Sequence, residues 1–253
     1  MRLSARPWRL IPLVIVAGLG AGCGRFGAPD PASEQGESIL TLWRGFFIAA
    51  LFVGALVWGL LIYVLLRWRR RGDTGDGDGD ELPSQNAYNI PLEIFYTAAP
   101  VVVVAVLFGV SWVTERDVNA LTDDPAVRVE VVGFQWSWQF RYTDDDVVIT
   151  GEPGEPPELV LPVDQTSQLE LVSTDVAHSF WVPDFLSKRD LIPGVDNEID
   201  ITPTETGTYQ GRCAEYCGLD HWRMYYSVRV VTQDEYDAWL ADQQAAATPE
   251  DGA

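Results

Sequence analysis

The stretch CAEYCGLDHWRM, residues 213–224, places two cysteines, a glutamate, a histidine and a methionine in the spacing C-x-E-x-C-x-x-x-H-x-x-M. Cys213 and Cys217 alone are compatible with a local disulfide, provided the segment lies in an oxidising compartment. With His221 and one further histidine they supply the four donors of a zinc site. With Met224 added, the donors become thiolate, imidazole and thioether, a soft set that suits copper. Compartment and fold decide among these, and both are read from the residues around the stretch.

The chain has only two histidines, and the other, His178, opens HSFWVP. Between Ala120 and the Cys/His/Met stretch the texture is β-rich. VRVEVVGFQWSWQFRY, ELVLPV, SQLELVST, HSFWVP, NEIDITP, GTYQGRC and, after the stretch, YYSVRVV alternate apolar and polar residues between Pro, Gly and Asp clusters. This pattern predicts a Greek-key β-sandwich or barrel. Thr232 and Glu235 form a T-x-x-E capping box ahead of YDAWLADQQAAA, which predicts a short terminal helix. A sandwich that carries one early histidine against a late Cys/His/Met loop is the cupredoxin arrangement, and Met224 favours copper because zinc has little use for a thioether.

Toward the N-terminus the compartment becomes legible. Arg2, Arg6 and Arg9 precede the apolar run LIPLVIVAGLGAG, which ends in small residues before Cys23, the form of a secretory signal. It resembles a bacterial lipoprotein signal, which implies cleavage before Cys23 and lipidation of that residue. It departs from that pattern in having Gly20, with Leu19 one step earlier, where a large aliphatic residue is usual. Leu40–Trp68 is a continuous apolar run long enough to span a bilayer, with Trp43 and Trp68 as interfacial aromatics. Four arginines among residues 67–71 and the Gly/Asp linker GDTGDGDGDE follow it. Basic loops stay inside, so the linker is cytoplasmic and both helix ends point outward. The second run, Ile94–Val113, is prefaced by Asn89 as a cap and Pro91 in the first turn, with Pro100 as an expected kink.

The sequence therefore reads as a signal over 1–22, an exported segment over 23–39, membrane helices over 40–66 and 90–114 around a cytoplasmic loop over 67–89, an exported β-domain over 115–245 and a tail over 246–253. The expected fold is mainly β, a cupredoxin-like sandwich after a transmembrane hairpin, in a bacterial plasma membrane with both termini on the outer side. The formal charge of −20 falls wholly after Thr114, with 28 acidic against 8 basic residues from Glu115 onward. Such a surface argues against nucleic acid and for a positively charged partner.

Two thiolates on one tight loop allow more than a mononuclear site. Both sulfurs can bridge a pair of copper ions, each ion taking one histidine and one weak axial ligand, Met224 or the Glu215 carbonyl. From the hairpin to the terminal helix, and through C-x-E-x-C-x-x-x-H-x-x-M with its upstream HSFWVP, the chain resembles subunit II of cytochrome c oxidase, the subunit that bears the dinuclear CuA centre. That resemblance implies His178, Cys213, Glu215 (by its carbonyl), Cys217, His221 and Met224 as copper ligands. It further implies a magnesium ion held by the Glu215 carboxylate and shared with subunit I, contact with subunit III, and a c-type cytochrome as donor.

GFQWSWQF resembles the family's G-H-Q-W-x-W segment, which implies Trp136 as the point of electron entry, with Phe134 in place of the usual histidine. On periodicity alone Phe134, Trp136 and Trp138 share one strand face, and core packing is the competing reading for an aromatic strand. In DFLSKRDLIPGV the D-x-I-P-G core agrees with the family, while Val195 stands for a frequent arginine. Glu93, seven before Pro100, matches a family glutamate at the mouth of a proton pathway, and its competing role is that of a carboxylate at a helix N-terminus. A quinol oxidase subunit would lack the copper donors, a nitrous oxide reductase would lack the hairpin, and a copper carrier would favour an open site over six closing donors. No C-x-x-C-H for haem attachment occurs.

Overall fold

The computed structural model describes residues 27–68, 86–152 and 154–247. The signal, Cys23, the Arg69–Arg71 cluster, the Gly/Asp linker and the last six residues lie outside them. The chain divides into two compact units, Leu42–Glu115 and Met1–Thr41 with Arg116–Ala253.

Helices α1 (Glu34–Arg67) and α2 (Ile90–Val118) are both long and apolar enough to cross a membrane. Apart from the start of α1, where Leu40 is buried, most of their apolar side chains are exposed, and α2 has no buried residue. A helix that is apolar all round and unburied by its own chain is matched to lipid. Helix α2 runs continuously through Pro100. Its start is capped as Asn89 predicts, with the Leu92 amide donating to Asn89 Oδ1 at 3.3 Å.

The other unit is a cupredoxin-like Greek-key sandwich. Its strands are β1 (Val127–Phe134), β2 (Ser137–Tyr142), β3 (Val147–Thr150), β4 (Glu158–Pro162), β5 (Ser167–Ser173), β6 (His178–Val182), β7 (Ser187–Leu191), β8 (Glu198–Ile201), β9 (Gly207–Cys213) and β10 (Tyr225–Val231). One sheet runs β3-β2-β1-β5-β8 and the other β4-β10-β9-β6-β7. Alternation along β5, buried at Ser167, Leu169, Leu171 and Ser173, sends one face inward as the sequence pattern requires. The sheets are tied by Tyr142 on β2, whose hydroxyl donates to Val160 O at 3.0 Å on β4 and accepts from Val160 N at 2.8 Å. Both Val160 backbone groups at the sandwich edge are thereby satisfied in the dry interior.

The sequence run at 127–142 is not one strand. It folds back at Gln135 and Trp136, with Phe134 paired to Ser137 across a two-residue turn. Trp136 therefore leaves the strand face it was expected to share with Phe134 and Trp138. Trp138 is fully buried, whereas Trp136 is half-buried at the tip. Strands β3 and β7 were not expected from their sequences, the first because it is short and the second because SKRDL is charged.

Thr202 and Asp184 reach the chain ahead of α1, Ala32 N donating to Asp184 O at 2.7 Å and Glu34 N to Thr202 O at 3.0 Å. Ala32 and Ser33 are buried against the sandwich, so this short N-terminal stretch belongs to its core. At the far end α3 (Gln233–Ala247) starts at the predicted capping box, Thr232 N and Oγ1 both donating to Glu235 Oε2 at 2.9 Å. Its Trp239 packs on Tyr142 with ring centroids 5.0 Å apart.

An aromatic cluster underlies the loop of residues 213–224. Tyr226 stacks on Phe180 at 4.9 Å and meets Trp138 edge-on at 5.0 Å. Opposite Tyr226 in the β9–β10 ladder sits Gly211, where a Cβ would lie 2.0 Å from the Tyr226 ring. Gly211→Ala is therefore expected to overpack the cluster, costing about 1–3 kcal/mol and lowering Tm by several degrees. Thermal unfolding followed by the near-ultraviolet dichroism of the aromatics measures it, and an unchanged Tm would mean that the ring swings aside freely.

Candidate metal centre

His178 is the first residue of β6 and Cys213 the last of β9. The two strands pair antiparallel with Phe180 opposite Cys213, which puts His178, Phe180 and Cys213 on one face of the sheet. Past β9 the chain turns back at once, Ala214 N donating to Ser179 O at 3.1 Å, and the loop returns into β10 with Cys213 N donating to Met224 O at 3.0 Å. The loop is thus closed at its base by backbone hydrogen bonds, and its donors are forced inward.

The inward donors crowd one another. Cys213 Sγ lies 3.8 Å from His178 Nδ1, 3.8 Å from Cys217 Sγ and 3.2 Å from Glu215 O. Cys217 Sγ lies 3.7 Å from His221 Nδ1 and 3.8 Å from Met224 Sδ. His178, Cys213 and Cys217 form a buried group whose ligand atoms fall within 4.8 Å of one another. All six donors named from the sequence therefore share one pocket. The cysteines are free thiols and not a disulfide.

The donor set fits metal ions. A first-row metal bound at about 2.3 Å from a thiolate can touch both sulfurs across their separation. Burial is nearly complete at His178, Cys213, Cys217 and Met224, which removes competing water. Electrostatics prepare one thiolate. Burial raises the Cys213 thiol, but His178 and the Glu215 backbone outweigh it and bring the thiol down to about 6. Burial, followed by the neighbouring Cys213 charge, pushes Cys217 up. Metal binding would displace the protons of both.

His178 uses its second nitrogen as well, Nε2 lying 2.8 Å from Asp175 Oδ1. Partial burial works against the Asp175 carboxylate, yet hydrogen bonds from His178 and from the Val176 and Gln135 amides hold it below the usual carboxylate range. Burial lowers His178, and contacts with Cys213 and Asp175 raise it overall. Asp175 was not singled out from the sequence, although an aspartate three residues before a strand-opening histidine was there to be read. Gln135 was missed too. Its Nε2 donates to Cys217 O at 2.7 Å.

Trp136 reaches the same atom, Nε1 donating to Cys217 O at 3.2 Å. Trp138 lies deeper, edge-on to the His178 ring at 6.2 Å, with its Nε1 donating to Met224 O at 3.5 Å. Trp136 lines a cavity of about 500 Å³ together with Glu152, Asp220 and Arg223. On the loop itself Tyr216, Leu219 and Trp222 are exposed by 75%, 81% and 68%, an apolar collar around the buried donors. The Glu215 side chain stays at the loop and accepts from Tyr216 N at 3.2 Å. Glu93, outside this centre, accepts from Asn89 N at 2.9 Å and thus completes the cap of α2.

Residues 156–231 match the family model of the cytochrome c oxidase subunit II periplasmic domain. The chain is 39% identical over 258 residues to the probable cytochrome c oxidase subunit 2 of Streptomyces coelicolor, covering 86% of this chain and 79% of that one. It is 30% identical over 272 residues to cytochrome c oxidase subunit 2 of Corynebacterium glutamicum, covering 86% and 76%. Among solved structures it is similar to the periplasmic domain of subunit II of cytochrome oxidase of Bradyrhizobium japonicum, with TM-score 0.47 and 28% identity over 51% of this chain and all of that one. Two long apolar helices, a β-sandwich and a buried Cys/His group thus accompany relatives of one kind matched over three quarters of their length or more, and the chain belongs to the cytochrome c oxidase subunit II family, subunits of an oxidoreductase.

Proposed function

We propose that the chain is the electron-entry subunit of a respiratory terminal oxidase, holding a dinuclear copper centre on His178, Cys213, Glu215 (carbonyl), Cys217, His221 and Met224. The observation that carries this reading is the convergence of both sulfurs, both Nδ1 atoms, one thioether and one carbonyl within contacts of 3.2–3.8 Å. A copper pair held by these residues would supply single-electron uptake and release. The residues of this chain do the rest. The buried sulfurs exclude water, Asp175 holds the His178 ring, and Trp136 offers a path from a half-buried indole through one hydrogen bond to the peptide of Cys217.

The donor is a c-type cytochrome with a basic face. The net charge of −20 steers it over distance, and the apolar collar of Tyr216, Leu219 and Trp222 meets it at contact. The electron continues to subunit I, where oxygen is reduced to water and protons are pumped. The Glu215 carboxylate takes a magnesium ion shared with subunit I, which the chain contacts along with subunit III. In this reading Leu42–Glu115 anchors the chain in a bacterial plasma membrane with the copper domain outside, after removal of a signal and lipidation at Cys23.

The full chain loaded with copper is expected to bind two ions and turn purple, with one unpaired electron shared equally by both nuclei in the paramagnetic resonance spectrum. One ion per chain, or a blue mononuclear spectrum, sinks the dinuclear assignment. Cys217→Ser should abolish the purple form, and Met224→Leu should keep copper at a shifted reduction potential.

Trp136→Phe removes the N–H that reaches Cys217 O and is expected to slow electron uptake by an order of magnitude or more at unchanged donor affinity. Raising ionic strength should slow association with a basic cytochrome c in wild type and variant alike. Stopped-flow reduction measures both, and a wild-type rate in Trp136→Phe moves the entry point elsewhere.

Glu93 is proposed as the entrance of a proton path into subunit I. In the assembled oxidase Glu93→Gln should slow turnover while leaving the copper spectrum and cytochrome binding as they are. Unchanged turnover leaves Glu93 only its place in the cap of α2.

A further inference from the structure

The turn that joins β1 to β2 touches both arms of the metal centre. Gln135 N donates to Asp175 Oδ2 at 2.7 Å, while Asp175 Oδ1 lies 2.8 Å from His178 Nε2. From the same residue, Gln135 Nε2 donates to Cys217 O at 2.7 Å. His178 and Cys217 lie on separate segments, 39 positions apart in the sequence. One residue of a third segment is hydrogen-bonded to the peptide of one ligand and to the partner of the other.

The surroundings are shaped for this contact. Gly218 follows Cys217 with φ of +121°, and a Cβ there would lie 3.0 Å from Gln135 Nε2 and 3.2 Å from Trp136 Nε1. The glycine thus permits both the backbone angle and the approach of two donors to a single carbonyl. Gln135 is itself exposed and absent from the buried core, so packing does not account for its position. Its short hydrogen bond to the peptide of a ligand does. Hydrogen bonds of this kind, one step out from the metal, orient the ligands, and losing one costs roughly 10–100-fold in metal affinity or activity.

We propose that Gln135 is a positioning residue of the metal centre, its side chain fixing the Cys217 segment and its backbone amide fixing Asp175 and, through it, the His178 ring. The proposal rests on the copper reading above. It assigns the turn two tasks, since Trp136 of the same turn offers the electron path. Gln135 would thereby hold the two ligand-bearing segments at a set separation.

The test uses the copper-loaded full chain in detergent, without any donor or other subunit. Gln135→Ala removes the side-chain donor, and Gln135→Glu keeps its shape but turns a carboxylate toward the Cys217 carbonyl; both leave the backbone amide to Asp175 intact. Each is expected to lose copper to excess EDTA about tenfold faster than wild type or more, with altered copper hyperfine splitting. Gln135→Lys keeps a donor and should hold copper longer than either. Metal-free melting of the variants, expected to match wild type for an exposed residue, separates ligand positioning from unfolding. Wild-type copper loss and splitting in both Gln135→Ala and Gln135→Glu would overturn the proposal and leave Gln135 a surface residue. Failure of the wild-type chain to take copper would instead overturn the reading on which it rests.

Discussion

The antiparallel pairing of β6 with β9 is the constraint on which the rest of the molecule depends. With Phe180 opposite Cys213, the parity of the strands sends His178 and Cys213 to the same buried face. A slip of one residue would turn one of them outward, because side chains alternate along a strand. The register is therefore held from several directions. Tyr226 OH accepts from Trp181 N at 3.0 Å, Ala214 N donates to Ser179 O at 3.1 Å, and Arg212 lies over the Trp181 ring at 4.5 Å. The aromatic cluster of Trp138, Phe180 and Tyr226 fills the space beneath the site, so neither strand can slide without opening a cavity there.

How much of this was legible in the sequence follows from the range of the interactions involved. Five of the six donors were named because spacing within one loop is a local property, and His178 because the chain offers no third histidine. The strands with clean alternation were read for the same reason. The turn at Gln135 and Trp136 was not, since neither residue is a turn former and the flanking aromatics continue the alternation on paper. What bends the chain there is long-range. Gln135 is held by Asp175 and Cys217, 40 and 82 positions away. Sequence spacing alone does not mark Asp175 either, because only the fold brings its carboxylate to the His178 ring.

The helical unit and the sandwich obey opposite rules of burial. In α1 and α2 apolar side chains stay exposed at Phe52, Trp58, Phe95 and Phe108, with nothing among the described residues to cover them. In the sandwich the large side chains of Trp138, Tyr142, Phe140 and Tyr226 are fully enclosed, and the two tyrosine hydroxyls are hydrogen-bonded. A long apolar helix is stable without tertiary cover only in a solvent as apolar as itself. The sandwich needs water outside to drive its core together. The linking segments reflect this division. Asp200 on β8, itself buried, accepts from Thr122 N at 2.7 Å, which fastens the segment after α2 to that strand.

In the proposed function the centre would exchange electrons with a visiting protein, which sets burial against access. Its thiolates have to be kept from water and oxidants, and here Cys213 and Cys217 are enclosed. Electron transfer nonetheless needs a continuous path to the surface. The two-residue turn between β1 and β2 reconciles these demands, because it brings an indole to the edge of the site without opening the site itself. Trp136 stays half-buried while its N–H reaches the carbonyl of a buried cysteine. On the loop Tyr216, Leu219 and Trp222 are exposed and uncharged, and under the proposed function they would give a partner drawn in by the acidic surface an apolar contact beside the charged Asp220 and Arg223. In that reading long-range attraction falls to the acidic residues and short-range contact to the apolar ones. Neither has to be weakened to accommodate the other.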